Sequence, residues 1–306
     1  MAKRGNPQAG LQSEALRAAL DRALVGETRA LEDLLARFGG LPSPRPHLAL
    51  AAAFGEEIAG KERGALALLE KLARDDADSD SPRAFLPVAA AHGLASRIAQ
   101  SRDVNAAWAA LFELATDDRA AVRIGTIDAL EGLAPRSPTG ADRMVERFSG
   151  WLEHEEREAR WSATAIALEV LSARRTLETL TDEAALFDFL ARALDDAGDA
   201  PRAAERSAMR RKVLAGIPGA ISTAIATKKG GAAWLEERCA GARHPDLRAA
   251  LEETLARLRK RGGAEKVETL TALSTALASS KKPPRDPTRS NEPARGRERK
   301  ARGRGA

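Results

Sequence analysis

An arginine recurs near the start of one segment after another in this chain: Pro44-Arg45, Pro82-Arg83, Val122-Arg123, Ala159-Arg160, Pro201-Arg202 and Leu247-Arg248. The successive spacings are 38, 40, 37, 42 and 46 residues. Self-similarity at a period of this size constrains the fold more than any single motif. Each unit is one supersecondary element whose apolar face has to be buried on its neighbour. Six residues after the arginines come Ala51, Ala89, Ala129, Ile166, Ala208 and Thr254, and seven after come Ala52, Ala90, Leu130, Ala167, Met209 and Leu255. Such positions line one side of a helix, and small side chains there let a neighbouring helix approach closely.

Apolar residues recur at intervals of three and four, and runs of alternating β-branched residues are absent, so the chain reads as all-α. A further helix precedes each arginine, at about 27–38, 61–74, 103–115, 141–152, 182–197 and 231–241. Ser13 begins a helix, Gly39-Gly40 ends one, Asp103 is placed to cap a third and Thr181-Asp182-Glu183 starts a fourth. Leu214 to Ser222, LAGIPGAIS, reads as a helix break at Gly216 and Pro218. SEALRAALDRAL (13–24) and AEKVETLTALSTALA (264–278) are amphipathic, as end helices covering the outermost units would be. The expected fold is an all-α, right-handed α-solenoid of about six antiparallel helix pairs with terminal capping helices. It would occupy residues 13–278, after a disordered N-terminus at 1–12.

LFELATDDRAAVRIGTIDALEGL (Leu111 to Leu133) and HPDLRAALEETLARL (His244 to Leu258) resemble the HEAT repeat family, a resemblance that extends over about 27–261. It implies a structural ladder of Asp117, Arg123, Arg160, Asp196, Arg202 and Arg248. Each guanidinium would bond a turn carboxylate or the last carbonyls of a neighbouring helix. Asp117 precedes Arg123 by six residues, and Asp196 precedes Arg202 by six. The Arg202 unit departs from the pattern by placing Glu205 where a small or apolar residue belongs. A tetratricopeptide array fits less well, having a shorter period of about 34, and the chain contains no tyrosine. The resemblance further implies a non-enzymatic scaffold that binds a protein partner on its concave surface.

Charge separates the body from its C-terminal end. Residues 281–306 hold ten Lys and Arg against Asp286, Glu292 and Glu298, which makes that stretch +7 and leaves −2 for residues 1–280 out of the overall +5. The stretch from 279 to 306 combines Pro, Gly and charge with almost nothing apolar and is expected to be a disordered basic tail. Arg295, Arg297, Arg299, Lys300, Arg302 and Arg304 are its candidates for weak, nonspecific polyanion contact, since no aromatic residue among them can stack on bases. With 38 Arg against 11 Lys, arginine by itself carries little meaning in this chain.

Catalytic and metal chemistry finds little support. The single cysteine, Cys239, excludes a disulfide framework or a thiol cluster. His47, His92, His154 and His244 are scattered without ligand spacing, so neither a metal nor another cofactor is expected. There is no G-x-S-x-G elbow, and Gly230-Gly231 follows Lys228-Lys229 without the strand or the G-K-[ST] ending of a phosphate loop. No residue is singled out as catalytic. No signal-like segment or apolar stretch of membrane length occurs, which points to a cytoplasmic protein with no membrane contact. The alternative is a nucleic-acid-binding protein akin to the HEAT-like alkylpurine DNA glycosylases, with Trp151 and Glu155, or Trp161 and Glu158, as its tryptophan-carboxylate pair. Core packing of those tryptophans is the expected outcome.

Overall fold

The computed structural model describes residues 7–137, 139–201, 203–261 and 267–279. The described residues form helices α1 (Pro7–Leu24), α2 (Arg29–Phe38), α3 (Leu48–Ala59), α4 (Ala65–Ala73), α5 (Phe85–Ala99), α6 (Val104–Ala115), α7 (Ala120–Leu133) and α8 (Gly140–Trp151). They continue as α9 (Arg157–Ser172), α10 (Arg174–Glu178), α11 (Glu183–Gly198), α12 (Ala208–Thr227), α13 (Gly231–Gly241), α14 (Pro245–Arg261) and α15 (Val267–Ser279). No strand occurs among them.

Two rows emerge from the packing. One runs α3, α5, α7, α9, α12, α14, with each helix lying on the next. The other contains α4, α6, α8, α11 and α13. Within units, α4 packs on α5, α6 on α7, α8 on α9 and α11 on α12. The chain is thus an all-α solenoid. α1 lies over α2, α3 and α4 at one end, and α15 lies over α13 and α14 at the other, so both ends of the array are covered.

Side-chain size distinguishes the rows. In the first row α5 is buried from Phe85 to Arg97 through Ala89, Ala90, Ala91 and Gly93, because α3 and α7 both approach it closely. Gly55 on α3 makes the approach possible: a Cβ there would stand 2.7 Å from the carbonyl oxygen of His92. The second row is spaced instead by large rings. Trp108 meets Phe148 and Trp151 edge-on at centroid distances of 6.5 and 6.2 Å, and Phe148 lies 6.0 Å from Phe189. Edge-to-face and tilted contacts of this kind stabilise beyond the area they bury.

Four expectations need correction. α1 starts at Pro7 rather than Ser13, and proline, which lacks an N–H and has a fixed φ, suits the first helical position; residues 1–6 lie outside the described residues. Asp103 does not cap α6 with its side chain. It takes a left-handed φ of 48°, and its carboxylate accepts from Arg97 Nε at 2.7 Å. α12 runs unbroken through Gly216 and Pro218. Burial of Ile217, Ala220, Ile221 and Ala224 between α9 and α14 offsets the roughly 3 kcal/mol that an interior proline costs. The fourth concerns the fifth unit: Ala208 is exposed and Met209 only half-buried, because α12 begins after Ser207, whose hydroxyl caps the N–H groups of Met209 and Arg210.

Candidate functional site

The arginine ladder is built from the first turns of the first-row helices. Arg160, on α9, donates Nη1 to the carbonyl of His154 at 2.6 Å and holds Asp196 Oδ1 through Nη2 at 2.9 Å and Nε at 3.2 Å. Asp196 Oδ2 accepts from the indole N–H of the fully buried Trp161 at 2.6 Å. One carboxylate therefore ties α9 to α11. In the next unit Arg210, 1% exposed, donates to the carbonyls of Ala197 (2.8 Å) and Glu205 (3.2 Å) and to Asp246 Oδ2 (2.7 Å). Arg160 to Asp196 and Arg210 to Asp246 repeat the same 36-residue link. Arg202 lies outside the described residues, and the guanidinium that joins these units is that of Arg210. Six residues on from Arg210 comes Gly216, where a Cβ would stand 3.1 Å from Leu168 Cβ, restoring the small residue that counting from Arg202 misplaces.

Arg123 occupies the same place in α7, and its Nη1 donates to the carbonyls of Asp117 and Asp118 at 2.7 and 2.6 Å. The Asp117 carboxylate pairs instead with Arg119, through Nε at 3.0 Å and Nη2 at 2.6 Å. That nearer guanidinium outcompetes Arg123 because it also bonds the carbonyls of Asp75 and Ala77 in the preceding turn, at 2.8 and 2.9 Å. The Asp117 bond, ahead of the opposing burial, holds Arg119 charged beyond the usual arginine range. Arg248 stands half-buried in the first turn of α14. Arg45 is exposed ahead of α3, and Arg83 bridges Asp75 and Glu32 at 2.5 and 3.2 Å. The tail candidates Arg295 through Arg304 lie outside the described residues.

A groove of about 470 Å³ opens on the first row where α7, α9 and α12 meet. Ile124, Ile127, Ala165, Ile166 and Ala215 form its apolar floor, with Arg123 and Lys212 among its lining cations and Glu169 and Arg257 also on its wall. Burial first, then repulsion from Arg123, holds the Lys212 ammonium below the usual lysine range, although Asp118 pulls the other way. Periodicity does not reveal this groove. It depends on how far apart α7 and α9 lie, which a single sequence does not encode locally.

The other sequence-singled residues do not assemble into a reactive centre. Trp151 is buried among Trp108, Phe112 and Phe148, and Trp161 is buried against Asp196. Glu158 accepts from the Ser207 hydroxyl at 2.8 Å, and the rings of both Trp151 and Trp161 are buried. His47 and His154 meet the backbone carbonyls of Phe38 and Glu156, His244 accepts from the Asp246 N–H, and His154 also lies on the Phe112 ring at 4.6 Å. Burial pushes the Cys239 thiol up to about 11, away from nucleophilic use. Among the described residues no group of three or more His, Cys, Asp or Glu is placed to hold a metal ion, and no helix is long and apolar enough to cross a membrane.

The chain's own helix pairs, stacked in two rows, make it an α-helical repeat array. No family model matches the chain, and no curated protein matches it. Among solved structures it matches a designed armadillo repeat protein at 19% identity, over 86% of this chain and 99% of that one, with a TM-score of 0.39.

Proposed function

We propose that this chain is a non-enzymatic cytoplasmic scaffold that binds a protein partner along its first helix row. The observation that carries the reading is the groove across α7, α9 and α12. It combines an exposed apolar floor with charged rims, while the buried charges elsewhere are engaged in holding units together. We infer that an array spaced by alanine and glycine along one row and by tryptophan and phenylalanine along the other curves toward the small row, which would put the groove on the inner face. Extended inner faces are the usual binding surfaces of such arrays. The test is affinity purification from the native host with the full chain and with Ile124→Glu as baits. A partner retained by the first and lost with the second supports the reading; identical partner sets refute it.

Weak nucleic-acid contact through residues 281–306 is a second reading, favoured by their +7 charge against −2 for the rest. A gel-shift series across salt, with the full chain and a version ending at Ser279, decides it. Salt-sensitive binding should vanish on truncation; salt-resistant binding by the truncated chain refutes the tail as its source.

A further inference from the structure

We propose that the groove between α7, α9 and α12 takes an extended segment of a partner protein in which an aliphatic side chain lies within a few residues of a carboxylate. The inference rests on the scaffold reading and goes further by fixing the chemistry of the partner.

The apolar half of the motif comes from the floor. Ile124 is 39% exposed on a helix whose other large aliphatic residues are wholly or partly covered, and Ile127, Ala165 and Ala215 continue the apolar surface from it. Covering such a surface with an aliphatic side chain removes apolar area from water on both partners. The carboxylate half comes from Arg123 and Lys212. Among the described residues neither has a carboxylate within 4.0 Å, in contrast to Arg160 with Asp196 and Arg210 with Asp246. The guanidinium of Arg123 is anchored by carbonyls alone, so its full charge remains for a ligand. Its repulsion of Lys212 is relieved when an anion enters between them.

The remaining geometry selects among occupants. The chain's own C-terminal stretch is excluded by its like charge of +7. No aromatic ring lines the groove for a nucleic-acid base to stack on, and phosphates would lie over an isoleucine floor. With helices about 10 Å apart, the groove runs about 20 Å from α7 to α12, roughly six residues of extended chain. Main-chain groups of such a segment stay open to water above the groove.

The test pans phage-displayed random dodecapeptides on the full chain. Fluorescein-labelled copies of the enriched sequences are then measured by anisotropy against wild type, Lys212→Glu and Ala215→Arg, with far-UV circular dichroism confirming that both surface variants stay folded. The expected result is a consensus pairing Leu, Ile or Val with Asp or Glu, bound about tenfold or more weakly by each variant. A consensus without an acid, or affinities unchanged by both substitutions, overturns the inference and leaves the scaffold reading standing. No enrichment above bare beads overturns both. Labelled single-stranded DNA that binds wild type and is released by Lys212→Glu would instead make the groove a phosphate site and overturn the proposal.

Discussion

Asp196→Ala is expected to loosen the array at one joint and to cost about 3–5 kcal/mol of local stability. The carboxylate accepts two bonds from Arg160, at 2.9 and 3.2 Å, and one from the Trp161 indole at 2.6 Å. Removing it strands two donors. Trp161 is fully buried and the Arg160 side chain is 14% exposed, so water does not readily replace the lost acceptor. An unpaired buried donor costs about 1–3 kcal/mol, with a charged one at the upper end, and the sum gives the range above. Asp196→Asn keeps an acceptor oxygen but loses the charge, and should cost about 1–2 kcal/mol. Because a stacked array need not unfold in one step, the readout is native-state hydrogen exchange at the α9 and α11 amides, backed by urea titration. Protection should fall there well before it falls in α3 and α5. A loss below about 1 kcal/mol, or one spread evenly over the chain, would refute the view that this carboxylate joins the two units.

Burial places the His92 imidazole at about 4 instead of 6.5, outweighing attraction from Asp128 and reinforced by repulsion from Arg136. The unfolded chain therefore binds the proton first, and stability is lost as pH falls from about 6.5 toward 4, by up to about 3 kcal/mol. The gap in urea stability between wild type and His92→Gln should shrink by most of that amount between pH 7 and 4.5; a gap independent of pH would contradict it. Gly55→Ala should cost about 1–3 kcal/mol, since the new Cβ meets the His92 carbonyl at 2.7 Å and backbone cannot turn aside as a side chain can. Thermal melts at fixed pH check this, and an unchanged or raised Tm would mean that α3 and α5 separate freely.

Helix order was legible because it follows from periodicity and caps, which are local. The expected first helix at 103–115 is α6 at Val104–Ala115, and the one at 231–241 is α13 at Gly231–Gly241. Side-chain partnership was less legible, because it depends on which of several arginines reaches a given acid. Asp117 lies two residues from Arg119 and six from Arg123, and only the folded turn shows that Arg119 also has carbonyls of the preceding unit to bind. The part played by Arg210 in this joint was detectable in principle. Arg123, Arg160 and Arg248 are each the fourth residue of their helices and Arg210 is the third of its own, so the cap at Ser207 was a better marker of register than the Pro-Arg pair. Pro218 misled for the opposite reason: its local signal is strong, and burial on α9 and α14 is stronger.

The ladder and the groove are two uses of one position. At Arg160 and Arg210 the first-turn guanidinium reaches a carboxylate 36 residues on, and that bond draws the following unit against the helix. At Arg123 the guanidinium closes on its own turn, and α7 lies on α9 over a shorter stretch than α9 lies on α12. Space and an uncompensated positive charge thus appear together, with Ile124 of α7 exposed between them. A repeat that gives up an internal ion pair loses some cohesion between neighbours, about 1 kcal/mol or more for a partly buried pair. In exchange it presents a cation, fixed by its backbone bonds, to whatever enters the groove. Arg123→Ala should therefore weaken peptide binding more than it lowers stability, whereas Arg210→Ala should do the reverse. Paired anisotropy and urea measurements on the two variants separate these roles, and equal losses on both axes for both variants would show that the position has a single use throughout the chain.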